Sequence, residues 1–165
     1  SWRVVPFTRE NGFHPSNAEY LDRTGLNART HLFPVISNPG NPTGHTREGA
    51  ELEELIALAE QPGNGILLDE AYEMFHASGG VSGLRYVKDL DASNVFLAGA
   101  CTKGLQCPGI RIGWVVASRA NIETLSNYST FDLTAYIFSF WTNRIYFINK
   151  YDCRRIIASV IKYLS

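Results

Sequence analysis

Three short apolar runs limit what this chain can fold into. They are "HLFPVI" at 31–36, "ILL" at 66–68 and "NVFLAGA" at 94–100. Each is too short for a helix and lacks the alternation of a half-exposed strand, so each reads as a strand covered on both faces. Between the first two lies "REGAELEELIALAE", with Leu52, Leu55, Ile56 and Ala59 at helical spacing. Thr46 is placed to cap that helix and "QPGNG" to stop it. A glycine- and serine-rich stretch, "ASGGVSG", leads into a short helix expected over 84–90. Strand, helix, strand, helix, strand implies a parallel sheet with right-handed crossovers.

The next connection is different. "CTKGLQCPG" joins the third run to a fourth, "IRIGWVVA", without a helical pattern. A parallel crossover needs about a dozen residues or more, so the fourth strand should run antiparallel to the third. "SRANIETLSNY" then reads as a helix. The expected fold class is α/β, a three-layer α/β/α arrangement with a mostly parallel sheet and one antiparallel strand.

This topology collects polar residues on one rim. Asn41 follows strand one, Asp69 ends strand two and Lys103 lies just past strand three. Arg111 starts strand four which, being reversed, begins at the same edge. Open α/β sheets bind ligands along that edge. Asp69 should be partly buried, and would serve either as a local cap or ion-pair partner or as the counter-charge of a cationic ligand atom. Tyr72, three residues on, either packs or shares the site, while Glu70 and Glu73 read as solvated or structural. Lys103, one of four lysines, is either a solvent-facing loop residue or a nucleophile toward carbonyls. Arg111 sits among apolar residues and calls for an anion, a protein carboxylate or a phosphate. In "VISNPGNPTG", each proline pushes the asparagine before it out of the helical region. Asn38 and Asn41 are thereby held extended, with their side-chain amides aimed by the backbone.

Composition narrows the function classes. The net charge of −1 gives no global pull toward nucleic acid or membrane. No apolar run approaches the roughly 18 residues of a membrane helix. Cys101, Cys107 and Cys153 have no zinc-site spacing and suit free thiols in a reducing, cytoplasmic setting. Neither a GxGxxG nor a Walker A run is present, which argues against a nucleotide-binding protein.

"NPGNPTG", "DEAY" and "TKGLQCPGIRIGW", in that order and spacing, resemble the hallmark segments of pyridoxal-phosphate-dependent aminotransferases of fold type I, class I/II. The resemblance covers residues 1–128, and "DEAYEMF" is similar to the histidinol-phosphate aminotransferase branch. It implies a pyridoxal 5'-phosphate cofactor joined to Lys103 as a Schiff base, with Lys103 also shuttling the Cα proton. Asp69 would keep the pyridine nitrogen protonated, and Tyr72 and Asn41 would hydrogen-bond the 3′ oxygen. Arg111 would bind the phosphate, assisted by Thr102. In the family the second Asn-Pro bond is commonly cis. Ala100 departs from the pattern, since relatives often carry a phosphate-binding serine there.

The resemblance also implies amino acid and 2-oxo acid substrates, a homodimeric full-length form and a chain more than twice this length. Residues 1–128 would be part of the large cofactor domain, with the C-terminal small domain and its substrate-carboxylate arginine absent. As a fragment the chain is expected to show little transaminase activity. Other pyridoxal-phosphate chemistry on the same scaffold, a β-lyase or a cyclopropane-forming synthase, stays open, as does a catalytically dead interaction module. Residues 129–165 lack glycine and proline and carry a net +3. They read either as a helical ending or as the product of a reading frame that departs near Ser129.

Overall fold

A computed structural model describes residues 3–27, 29–77, 79–108, 112–129 and 145–149. Within them lies one five-stranded sheet in the order β1-β2-β3-β4-β5. The strands are β1 (Val35–Ser37), β2 (Ile66–Asp69), β3 (Val95–Ala100), β4 (Ile112–Val116) and β5 (Ile145–Asn149). β1, β2 and β3 pair in parallel, and β4 runs antiparallel to β3. β5 is antiparallel to β4 and so points the same way as the first three. One reversed strand in a mostly parallel sheet is the arrangement that the connection lengths require.

Both faces of β2 and β3 are covered over 66–68 and 95–97, which explains the unbroken apolar runs. Alternate residues feed opposite layers. Ile66, Leu68, Val95 and Leu97 join Leu52, Leu55 and Ile56 of helix α2 (Ala50–Ala59) in one core. Leu67, Phe96 and Val115 join Ile122 and Leu125 of α4 (Arg119–Ser129) in the other. A five-residue helix, α1 (Asn17–Leu21), packs on α2. Two 3₁₀ turns, Glu73–Phe75 and Gly83–Tyr86, and the four-residue α3 (Cys101–Gly104) complete the described elements.

Several local expectations are corrected. Thr46 does not cap α2, which begins at Ala50 after Gly49 in a left-handed conformation, φ 56°. Asn38 diverts the backbone upstream of it. Its side-chain oxygen accepts the Arg47 N–H at 2.7 Å and its amide donates to the Arg47 carbonyl at 3.0 Å. In a helix starting there, that carbonyl would accept from the N–H of Glu51, four positions on. The helix expected over 84–90 is only the 3₁₀ turn Gly83–Tyr86. β1 is an edge strand with Val35 exposed and Ile36 buried, so it is not covered throughout. In the C-terminal segment the described residues 145–149 form a strand, where a helical ending was one expectation. Ile145, Tyr146, Phe147 and Ile148 are strand-favouring residue types, and five register pairs with β4 give them a strand to join.

Candidate functional site

The parallel strands end together, and their C-terminal rim carries the site. Asp69 is in register with Ser37 on one side and Ala98 on the other. Beyond the paired residues the chains stay tied, with Asn38 N–H donating to the Asp69 carbonyl at 2.9 Å and Glu70 N–H to Ala98 at 2.7 Å. The first residues of the loops after β1 and β2, Asn38 and Glu70, are thereby fixed relative to the sheet and to each other.

After β1 the chain folds back on itself. Gly40 N–H donates to the His45 carbonyl and Gly44 N–H to the Gly40 carbonyl, each at 2.7 Å. Gly44, at φ 75°, takes a conformation that glycine adopts without strain. Both Asn-Pro bonds in this turn are cis. The two asparagines then separate in role. Asn38 is fully buried and clamps Arg47, whereas Asn41 is exposed on the rim of a cleft. That cleft has a volume of about 390 Å³, and its walls include Pro39, Asn41, Thr46, Tyr72, Phe75 and His76. His76 faces Glu48 at 4.0 Å, and the rings of Tyr72 and Phe75 meet edge-on with centroids 5.9 Å apart.

Lys103 reaches this region from β3. It sits in the single helical turn α3, where a non-helical loop was expected. Ala100 ends β3 and precedes α3 without a side-chain cap. The turn is closed by Gln106 N–H to the Lys103 carbonyl at 3.0 Å and Cys107 N–H to the Cys101 carbonyl at 3.3 Å. The buried Cys101 thiol donates to the Ile112 carbonyl at 3.1 Å, which ties the turn to β4. Gly104 lies against Met74, and a Cβ there would stand 2.8 Å from its sulfur. This close approach of α3 to the Glu73–Phe75 turn brings the Lys103 amine over the Tyr72 ring, 5.4 Å from its centroid.

Asp69 departs from expectation because it is exposed. Its Oδ1 accepts from Ala71 N–H at 3.1 Å, and it forms no ion pair among the described residues. As the last residue of β2 it follows the alternation of Ile66, Leu67 and Leu68 past the end of both cores. Thr102 is half-buried in α3. Arg111 lies outside the described residues. The structure thus brings Asn41 and Tyr72 to one cleft and Lys103 to Tyr72, with Asp69 on the same rim. An amide, a phenol, an amine and a carboxylate with no ion pair among the described residues form a set that fits pyridoxal phosphate. Among the described residues no group of side chains could hold a metal, and no helix is long and apolar enough to cross a membrane.

Some lining residues of the cleft escaped the sequence reading. Thr46, Phe75 and His76 line the cleft, although Phe75 and His76 sit close enough to "DEAY" to have been suspected. Glu70 is buried at 5% exposure, and desolvation pushes its carboxyl up to about 7. Burial also raises the half-buried Glu73. Of the two readings of Glu70, solvated and structural, the structural one holds.

Residues 1–140 match the family model described as aminotransferase class I and II. The "Probable aspartate/prephenate aminotransferase" of Aquifex aeolicus is 30% identical over 141 residues, covering 77% of this chain and 34% of that protein. The "Histidinol-phosphate aminotransferase" of Thermotoga maritima is 35% identical over 88 residues, 53% of this chain and 24% of that protein. A solved PLP-dependent aminotransferase from Streptococcus suis superimposes with a TM-score of 0.63 at 27% identity, covering 98% of this chain and 38% of that one. The chain spans about a third of the length of the first of these relatives and a quarter of the second.

Proposed function

Because the chain belongs to the class I and II aminotransferase family, we propose that it builds a pyridoxal-phosphate site and serves amino-group transfer between an amino acid and a 2-oxo acid. The observation that carries this reading is the meeting of Lys103 with Tyr72, whose ring also lines the cleft with Asn41. When bound, the cofactor supplies an electron sink that makes the amino acid Cα–H acidic.

The chain's own residues would do the rest. Lys103 Nζ holds the cofactor aldehyde and moves the Cα proton. Asn41 and Tyr72 orient the ring by hydrogen bonds to its 3′ oxygen. Asp69 would supply the negative charge that keeps the ring nitrogen protonated; among the described residues its exposed carboxylate accepts only the Ala71 N–H, which leaves an oxygen for that partner. Thr102 and Arg111 are assigned to the phosphate. A homodimeric full-length form belongs to the same proposal.

The test is a half-reaction. The full-length protein, loaded with pyridoxal phosphate and given an amino acid alone, should release a stoichiometric amount of the 2-oxo acid and retain the amino group on the cofactor. Release of free ammonia or a thiol would assign a lyase instead.

A further inference from the structure

Glu70 is an unusual residue to find inside this fold. It is 5% exposed and makes no ion pair among the described residues. Burying a carboxylate without a cation is unfavourable, so its contacts must be considered closely. One carboxylate oxygen accepts the Gly83 N–H at 2.6 Å and the other accepts the Ser82 hydroxyl at 2.8 Å. Its own N–H is bound to Ala98 of β3. Gly83 is wedged in the core, where a Cβ would stand 2.6 Å from Leu68 and 3.3 Å from Ile56.

These contacts close a loop. Residue 70 leaves the sheet and residue 83 returns to the core, and the Glu70 side chain joins the two ends. Between them lie Tyr72, Phe75 and His76, which form one wall of the cleft. Val81 anchors the far end of the loop in the core and Met74 lies against Gly104, but the stretch 72–76 that forms the wall contains no buried residue of its own.

We propose that Glu70 is a positioning residue, a carboxylate clasp on Ser82 and Gly83 that holds the Tyr72–His76 wall against the cofactor cleft. Asp69 faces out to the ligand while its neighbour faces in and fixes the loop. The consequence for cofactor affinity rests on the cofactor reading above; the clasp itself does not. Alanine removes both acceptors. Glutamine keeps an acceptor for Gly83 and can donate to the Ser82 oxygen, so it should preserve the closure.

Hydrogen exchange on the 165-residue chain, read by mass spectrometry, tests the clasp. In Glu70→Ala, amides of residues 71–81 should exchange about tenfold faster or more, with those of β2 and β3 unchanged. Glu70→Gln should stay within about threefold of the parent. Pyridoxal phosphate binding should weaken about tenfold or more in Glu70→Ala and recover in Glu70→Gln, a rescue that bulk loss of packing would not give. If Glu70→Ala unfolds the whole chain, Ser82→Ala, which deletes one of the two donors, must show the same localised change at about threefold or more. Parent-like exchange at 71–81 in the folded variant, or faster exchange with unaltered cofactor affinity, overturns the proposal. If the parent takes up no pyridoxal phosphate, the cofactor reading falls, and the exchange comparison still decides the clasp.

Discussion

The Lys103 amine stands 5.4 Å from the centroid of the Tyr72 ring, although 31 positions separate them in the sequence. The contact depends on Gly104 lying against Met74, which docks the turn after β3 onto the turn after β2. A cation over an aromatic face is attracted by about 0.5–1 kcal/mol when exposed, enough to bias an otherwise mobile lysine toward the cleft.

Lys103 should therefore be the residue that pyridoxal phosphate modifies. Borohydride reduction of the loaded protein followed by peptide mapping should place the label on residue 103. Lys103→Ala should abolish the visible band. Label on Lys88, whose amine pairs with Glu60 at 3.7 Å, would refute the assignment.

Asp69 should matter for the chemistry and little for the fold, since it is exposed and has no ion-pair partner among the described residues. Asp69→Asn should leave the unfolding midpoint nearly unchanged. In the full-length protein, exchange of the amino acid Cα proton into heavy water, followed by NMR, should slow by about 10²-fold or more. A near-parental exchange rate would remove Asp69 from the mechanism.

Asn38 should behave in the opposite way. It is fully buried and satisfies both backbone groups of Arg47. Asn38→Ala leaves a buried donor and acceptor unpaired, with a loss of about 2–4 kcal/mol in urea unfolding. A loss below about 0.5 kcal/mol, within the range of surface changes, would show that the clamp is dispensable.

Glu70 predicts a pH dependence of stability with a definite sign. Burial lifts its folded pKa to about 7, above the ordinary glutamate value of 4.5. The folded state then binds more protons than the unfolded state between those values. Stability from this group is full below about 4.5, falls as the pH rises toward 7 and is flat above it. The whole effect is on the order of 3 kcal/mol. Denaturation at pH 5, 6, 7 and 8 should show the decline, and Glu70→Gln should flatten it. A Glu70→Gln profile with the same slope would assign the titration elsewhere.

The alternation between Ile66, Leu67 and Leu68 shows why so much of the fold was legible in the sequence. A strand sandwiched between two helical layers must be apolar at every position, and such runs are visible without coordinates. The reversal of β4 was equally readable, because the segment before it is too short for a crossover. Asn41, Asp69 and Lys103 were legible as a group for the same reason, since strand direction assigns each to one rim; Arg111, read with them, lies outside the described residues, and Tyr72 joined them through the resemblance.

Other features depended on contacts between distant parts of the chain. Thr46 is a sound cap by local rules, but Asn38 pulls Arg47 away from the helix. Asp69 and Glu70 look alike as neighbouring acids, yet one is exposed and the other is sealed against Ser82 and Gly83. The sequence by itself determined the layers, the strand directions and the edge at which chemistry gathers, because these follow from local periodicity and connection length. Only the tertiary structure decided which asparagine binds the backbone and which faces the cleft, and which carboxylate is buried. Burial is set by what folds over a residue, and Gly83, which seals Glu70, comes from 13 positions further along the chain.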